Sequence, residues 1–119
     1  MLILVYCKDK PGGLPLRRAT RAEHLEYMIA ARDRVVFGGP LLSEEGEPVG
    51  SVFALNAASR AEAEAFLAAE PYCVAGLFEE VRVHPMRQMV PEEPAGVLDR
   101  ELARERAAAA GAPGEPAPR

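Results

Sequence analysis

The sequence predicts an α+β fold with the element order β-α-β-β-α-β, the ferredoxin-like arrangement. Three observations carry this. Two short runs are apolar on both alternating sets of residues. Two Thr/Ser-x-x-Glu boxes each stand before an amphipathic segment, and Gly- and Pro-rich clusters separate the segments.

Leu2–Cys7 reads as a buried strand, with Leu2, Leu4 and Tyr6 on one face and Ile3, Val5 and Cys7 on the other. Lys8–Arg18, with Pro11-Gly12-Gly13 and Pro15, reads as a loop. Thr20-Arg21-Ala22-Glu23 is a capping box, because its hydroxyl and carboxylate can each satisfy a free backbone amide. The helix it opens is expected to bury Leu25, Met28 and Ile29. Arg34–Gly39 is the second strand, stopped by Gly38-Gly39-Pro40. Glu44–Pro48 is a polar turn, and Val49–Asn56 is the third strand. Ser59-Arg60-Ala61-Glu62 is the second capping box, and its helix turns Ala63, Phe66 and Leu67 inward. Pro71 disfavours a helical conformation at Glu70 and ends it there. Leu77–His84 is the fourth strand.

Composition bounds the function. The chain has 119 residues, 49% hydrophobic and 27% charged, as in an ordinary globular domain. A net charge of −4 argues against a nucleic-acid surface, which needs a basic excess. Two cysteines, Cys7 and Cys73, make neither a disulfide framework nor a cysteine-rich zinc site. No apolar run approaches the roughly 20 residues of a membrane span, and the first residues lack a signal-peptide pattern. The expectation is a cytoplasmic protein without membrane or nucleic-acid partners. Residues 1–90 form the expected domain and 91–119 a C-terminal appendage, with a helix over 95–110. Past that helix the Ala/Gly/Pro composition predicts disorder.

Two helices cover one face of a four-stranded sheet. The first and third strands are apolar on both faces, so the second face calls for a partner, most simply another copy in a two-fold dimer. Following the topology, His24, Gly39-Pro40, Ser51, Glu70 and Tyr72 gather at one end of the domain. Glu70 extends the inward stripe of the second helix and His24 flanks that of the first. A carboxylate beside an imidazole fixes its tautomer and raises its basicity, as proton transfer requires.

The ordered set Arg21-x-x-His24-Leu25, Gly39-Pro40-Leu41, Gly50-Ser51, Glu70-Pro71-Tyr72-x-x-Ala75-Gly76-Leu77 and Pro85 resembles the YCII-related domain family over about residues 1–90. The resemblance implies a ferredoxin-like chain that pairs face to face as a dimeric α/β barrel. It also implies an enzymatic role for a histidine, matched by His24, and for an aspartate whose place Glu70 takes here.

Plainer readings stand beside these. His24 is also a helix-flank residue, Tyr72 a packing wedge, and Ser51 a small strand residue. Gly38-Gly39-Pro40 is a strand end rather than a phosphate cradle. His84 is expected on the outer face of the fourth strand or at the dimer seam, and the cysteines are expected to be buried and inert. Together the features lead to a small-molecule enzyme that needs no cofactor or metal. In it His24 and Glu70 are catalytic, and Arg21, Gly39, Pro40, Ser51 and Tyr72 bind substrate. The reaction is of the lyase or isomerase type. The alternative is a non-catalytic ligand-binding or regulatory module acting through a partner protein.

Overall fold

A computed structural model describes residues 1–111. The described residues divide into two compact units, Met1–Met86 and a second that begins at Arg87. The first unit contains β1 (Leu2–Asp9), α1 (Leu14–Ala30), β2 (Val35–Leu42), β3 (Pro48–Asn56), α2 (Arg60–Ala69), the single turn α3 (Pro71–Val74) and β4 (Phe78–Met86). The strands form one antiparallel sheet in the order β2-β3-β1-β4. This is the expected α+β, ferredoxin-like topology.

The register explains the double apolar pattern. Ile3 pairs with Leu55, Val5 with Phe53 and Cys7 with Ser51, and these side chains face the helices. Ile3, Val5 and Leu55 are completely buried, each a contribution of about 1.5–3 kcal/mol. Leu4 pairs with Ala54 and His84, and Tyr6 with Val52 and Arg82, on the opposite face. His84 therefore lies on the outer face of β4, as its strand position predicts.

The helix boundaries depart from the sequence reading at one end and match it at the other. α1 begins at Leu14, not after Thr20, with Pro15 in its first turn, where a missing N–H costs nothing. Thr20 lies inside α1 and is buried, so its box caps nothing. The inward stripe is Arg17, Thr20, His24, Tyr27 and Met28, while Leu25 and Ile29 are largely exposed. Polar side chains occupy the positions that hydrophobic periodicity assigns to leucine and isoleucine. The second box acts as expected: the Ser59 hydroxyl accepts from the Glu62 amide at 3.2 Å, and Glu62 accepts from the Ala58 amide. Ala63, Phe66 and Leu67 are buried on α2.

Gly38-Gly39-Pro40 does not stop β2, which runs on to Leu42. Pro40 is tolerated because β2 is an edge strand, where a lost donor breaks no ladder on its open side. Tyr27 ties α1 to α2, its hydroxyl donating to the Phe66 carbonyl at 2.7 Å and its ring packing on Phe66.

In the second unit, α4 (Val97–Gly111) occupies the position expected for a helix over 95–110. Residues 112–119 of the segment expected to be disordered lie outside the described residues.

Candidate active site

Glu70 is placed by a change of direction. It ends α2 with extended backbone (φ −69°, ψ 127°) and caps α3, its Oε2 accepting from the Cys73 amide at 3.1 Å. Its other oxygen points back to α1, where Oε1 lies 2.5 Å from His24 Nδ1. Burial pushes the Glu70 carboxyl up, but the bonds from His24 and the Cys73 amide outweigh it and hold the group below its usual range. An ionised carboxylate only accepts hydrogen bonds, so His24 Nδ1 carries the proton in this pair. In the neutral form of the ring this leaves the lone pair on Nε2.

Tyr72 packs against the other side of the pair. The His24 ring stacks on it at 4.1 Å and 19°, and the Arg17 guanidinium lies 4.6 Å from its centroid. Arg17 and His24 sit two turns apart on α1, about 10.5 Å along the axis, and the Tyr72 ring fills that gap. Burial raises the Tyr72 hydroxyl while the Arg17 charge opposes the rise.

Arg17 is itself anchored. Its Nε and Nη2 donate to both oxygens of Asp9 at 2.8 and 2.9 Å, and Nη2 also reaches the Gly50 carbonyl and Ser51 Oγ at 3.0 and 3.1 Å. Burial works against its charge, but the Asp9 carboxylate more than compensates. This guanidinium thus joins β1, α1, β3 and the Tyr72 ring.

Arg21, His24, Gly39, Pro40, Ser51 and Tyr72 all line one cavity of about 280 Å³, with Arg17 and apolar walls that include Leu14, Met28 and Phe53. Glu70 is not on the wall but directly behind His24. Every candidate singled out in the sequence is therefore at this place. Sequence reasoning missed Arg17 and Asp9. The available signal was the spacing of Arg17, Thr20 and His24, which puts three polar residues on one helical stripe.

Burial pushes both cysteine thiols up to about 12. Among the described residues, no three His, Cys, Asp or Glu side chains are grouped to hold a metal ion, and no helix is long and apolar enough to cross a membrane.

Comparison with known proteins assigns the domain. Residues 1–87 match the YCII-related domain. This chain belongs to the YCII-related family. The YCII domain here is similar to Protein YciI of Escherichia coli O6:H1 and of Shigella flexneri, 30% identical over 97 residues that span 75% of this chain and 99% of each relative. Its fold also matches the solved structure of 5-chloro-2-hydroxyhydroquinone dehydrochlorinase (TftG) from Burkholderia phenoliruptrix AC1100 in complex with 2,5-dihydroxybenzoquinone. That match has a TM-score of 0.71 and 31% identity over 77% of this chain and 99% of that one.

Proposed function

We propose that this YCII domain is a small-molecule enzyme that moves a proton on a compact cyclic substrate, with His24 as general acid/base and Glu70 as the residue that orients it. The observation that carries the reading is the 2.5 Å contact between His24 Nδ1 and the buried Glu70 carboxylate, beside a cavity of small-molecule size. With Nδ1 committed to Glu70, Nε2 is the nitrogen available to a substrate. It takes a proton from an oxygen or carbon of the ring, and the electron pair left behind either expels a leaving group or re-forms a double bond nearby. The first course is elimination and the second is tautomerisation.

The similarity to a dehydrochlorinase favours hydroxylated, ring-shaped substrates. Arg21 stands on the cavity wall as a cation for an acidic group, Ser51 and Tyr72 supply hydroxyls, and Gly39-Pro40 form the opposite edge. Glu70 supports the same role as the shorter aspartate, because its longer side chain still reaches the imidazole.

The assembly that fits this domain is a homodimer through the outer sheet face. By register that face presents Leu4, Tyr6, Val52 and Phe37, and Phe37 is 48% exposed. Light scattering on the full chain at micromolar concentration is expected to give twice the monomer mass.

The test of the activity is chloride release from chlorinated hydroxyhydroquinones under anaerobic conditions, together with solvent-deuterium exchange into the unchlorinated ring. His24→Ala is expected to lower either rate by about a hundredfold or more, the range of a lost general acid/base. Full activity in that variant overturns the reading.

A further inference from the structure

A second cavity, of about 450 Å³, adjoins the candidate active site. Leu14 and Pro48 stand in the walls of both. Two ion pairs also join the walls. Arg17 of the first cavity meets Asp9 of the second at 2.8 Å, and Arg18 of the first meets Glu47 of the second at 3.6 Å. The partition is therefore a single layer of side chains. One of its ion pairs is fixed in the interior, with Arg17 and Asp9 each 6% exposed. The other is loose, with Arg18 and Glu47 70% and 54% exposed, and an exposed pair of this kind contributes little and parts easily.

The chemistry of the second cavity favours an uncharged, apolar occupant. Tyr6, Leu14, Leu41, Pro48 and Val49 supply its apolar surface. Its charges are matched: Lys8 lies 2.9 Å from Glu79, and Asp9 and Glu47 are held by arginines across the partition. Lys10 is the remaining charge and is exposed. Val49 is 44% exposed, and covering it with apolar matter is favourable. Ligand sites usually enclose about 300–1,000 Å³. The first cavity, at about 280 Å³, falls just short of that range alone, and the two together lie well inside it.

We propose that the two cavities form one substrate site in two parts. The first holds the reacting ring beside His24, and the second holds an apolar side chain of that ring, laid across Leu14 and Pro48. This deepens the function proposed above and rests on it in taking the first cavity as the substrate site. It names the substrate class as a ring with an apolar substituent of several carbons. Leu14 and Pro48, as the residues the side chain must cross, select the ring position that carries it.

The probes are phenol, 3-butylphenol and 4-butylphenol, titrated into the full chain and followed by methyl NMR, which reads both affinity and place. The better butylphenol is expected to bind about tenfold tighter than phenol, less than full burial of four carbons would give. It is expected to shift the Leu41 and Val49 methyl signals, which phenol leaves in place. Val49→Asp, checked for folding by circular dichroism, is expected to reduce the preference for the longer probe severalfold. His24→Ala is expected to retain that preference, so this proposal and the catalytic one fail separately. Phenol binding with no gain from the butyl chain overturns the two-part site and leaves the catalytic reading standing, whereas binding of none of the three overturns both. A gain without shifts at Leu41 and Val49, or one undiminished in Val49→Asp, also overturns the two-part site. If those methyls ignore every probe and Val49→Asp halves the mass seen by light scattering, a second copy of the chain occupies the cavity instead, and the proposal falls.

Discussion

His24 Nδ1 and Glu70 Oε1 meet at 2.5 Å although the two residues are 46 positions apart in the chain. The meeting requires a helix that turns a histidine toward the sheet and a carboxylate at the break between two helices. Glu70 closes α2, caps α3 and holds an imidazole at once. Its consequences can be measured on the carboxylate.

Glu70 is held below its ordinary value of 4.5 largely by the His24 hydrogen bond, against the upward push of burial. A group whose folded value is depressed contributes stability that is present above its unfolded value and lost as pH falls through the folded one. The wild type is therefore expected to lose more stability below about pH 4.5 than Glu70→Gln does, measured by urea unfolding along a pH series. In His24→Ala the Glu70 carboxyl should titrate higher than in the wild type, read by carbon NMR of the labelled side chain.

The Asp9–Arg17 pair is buried on both sides, each side chain 6% exposed. Removing one partner strands the other charge in the interior, at a cost of about 3–5 kcal/mol. Asp9→Asn is expected to lose that much in urea denaturation, a large share of the 5–15 kcal/mol typical of a domain. Replacing both residues with apolar ones should cost much less, because no charge is left behind.

Two glycines, Gly50 on the central strand β3 and Gly39 on the edge strand β2, separate packing from cavity shape. A Cβ at Gly50 would stand 2.5 Å from the Cys7 carbonyl oxygen, which is backbone and cannot turn aside. Gly50→Ala is expected to destabilise by about 1–3 kcal/mol, the usual range of overpacking. At Gly39 a Cβ meets nothing within 4 Å, so Gly39→Ala should fold with a nearly unchanged thermal midpoint. Any effect on ligand binding there then reports the cavity edge.

The thiols of Cys7 and Cys73 stand at about 12 because burial disfavours the thiolate. Alkylation by iodoacetamide near pH 8, followed by mass spectrometry, should be far slower in the folded protein than in urea. Rapid native labelling of either residue would place that thiol in a different environment.

The sequence carried most of this fold and nearly all of the candidate site, for physical reasons that differ by residue. The double apolar face of β1 was legible because both alternating sets are hydrophobic. Ser59 and Glu62 announced α2 because capping needs only local chemistry. The start of α1 was not legible. Leu14 follows a Pro-Gly-Gly run that signals a loop, and what orders the next turn is the long-range hold of Asp9 on Arg17. That same hold hid Arg17, since an arginine on an inward stripe looks solvent-facing until its carboxylate is found. Pro40 looked like a stop because its tolerance depends on β2 being an edge strand, which only the sheet order reveals. His24 and Glu70 were found because each sits at an unusual position, and following the topology brought them to one end.

The measurement that tests the account most directly is the nitrogen NMR of the His24 side chain in the full chain, with and without Glu70→Gln. The geometry predicts that the neutral imidazole carries its proton on Nδ1 and leaves Nε2 unprotonated toward the cavity, and that Glu70→Gln releases this preference. A neutral ring protonated on Nε2, or a tautomer indifferent to Glu70→Gln, would contradict the claim that Glu70 prepares His24 for proton transfer.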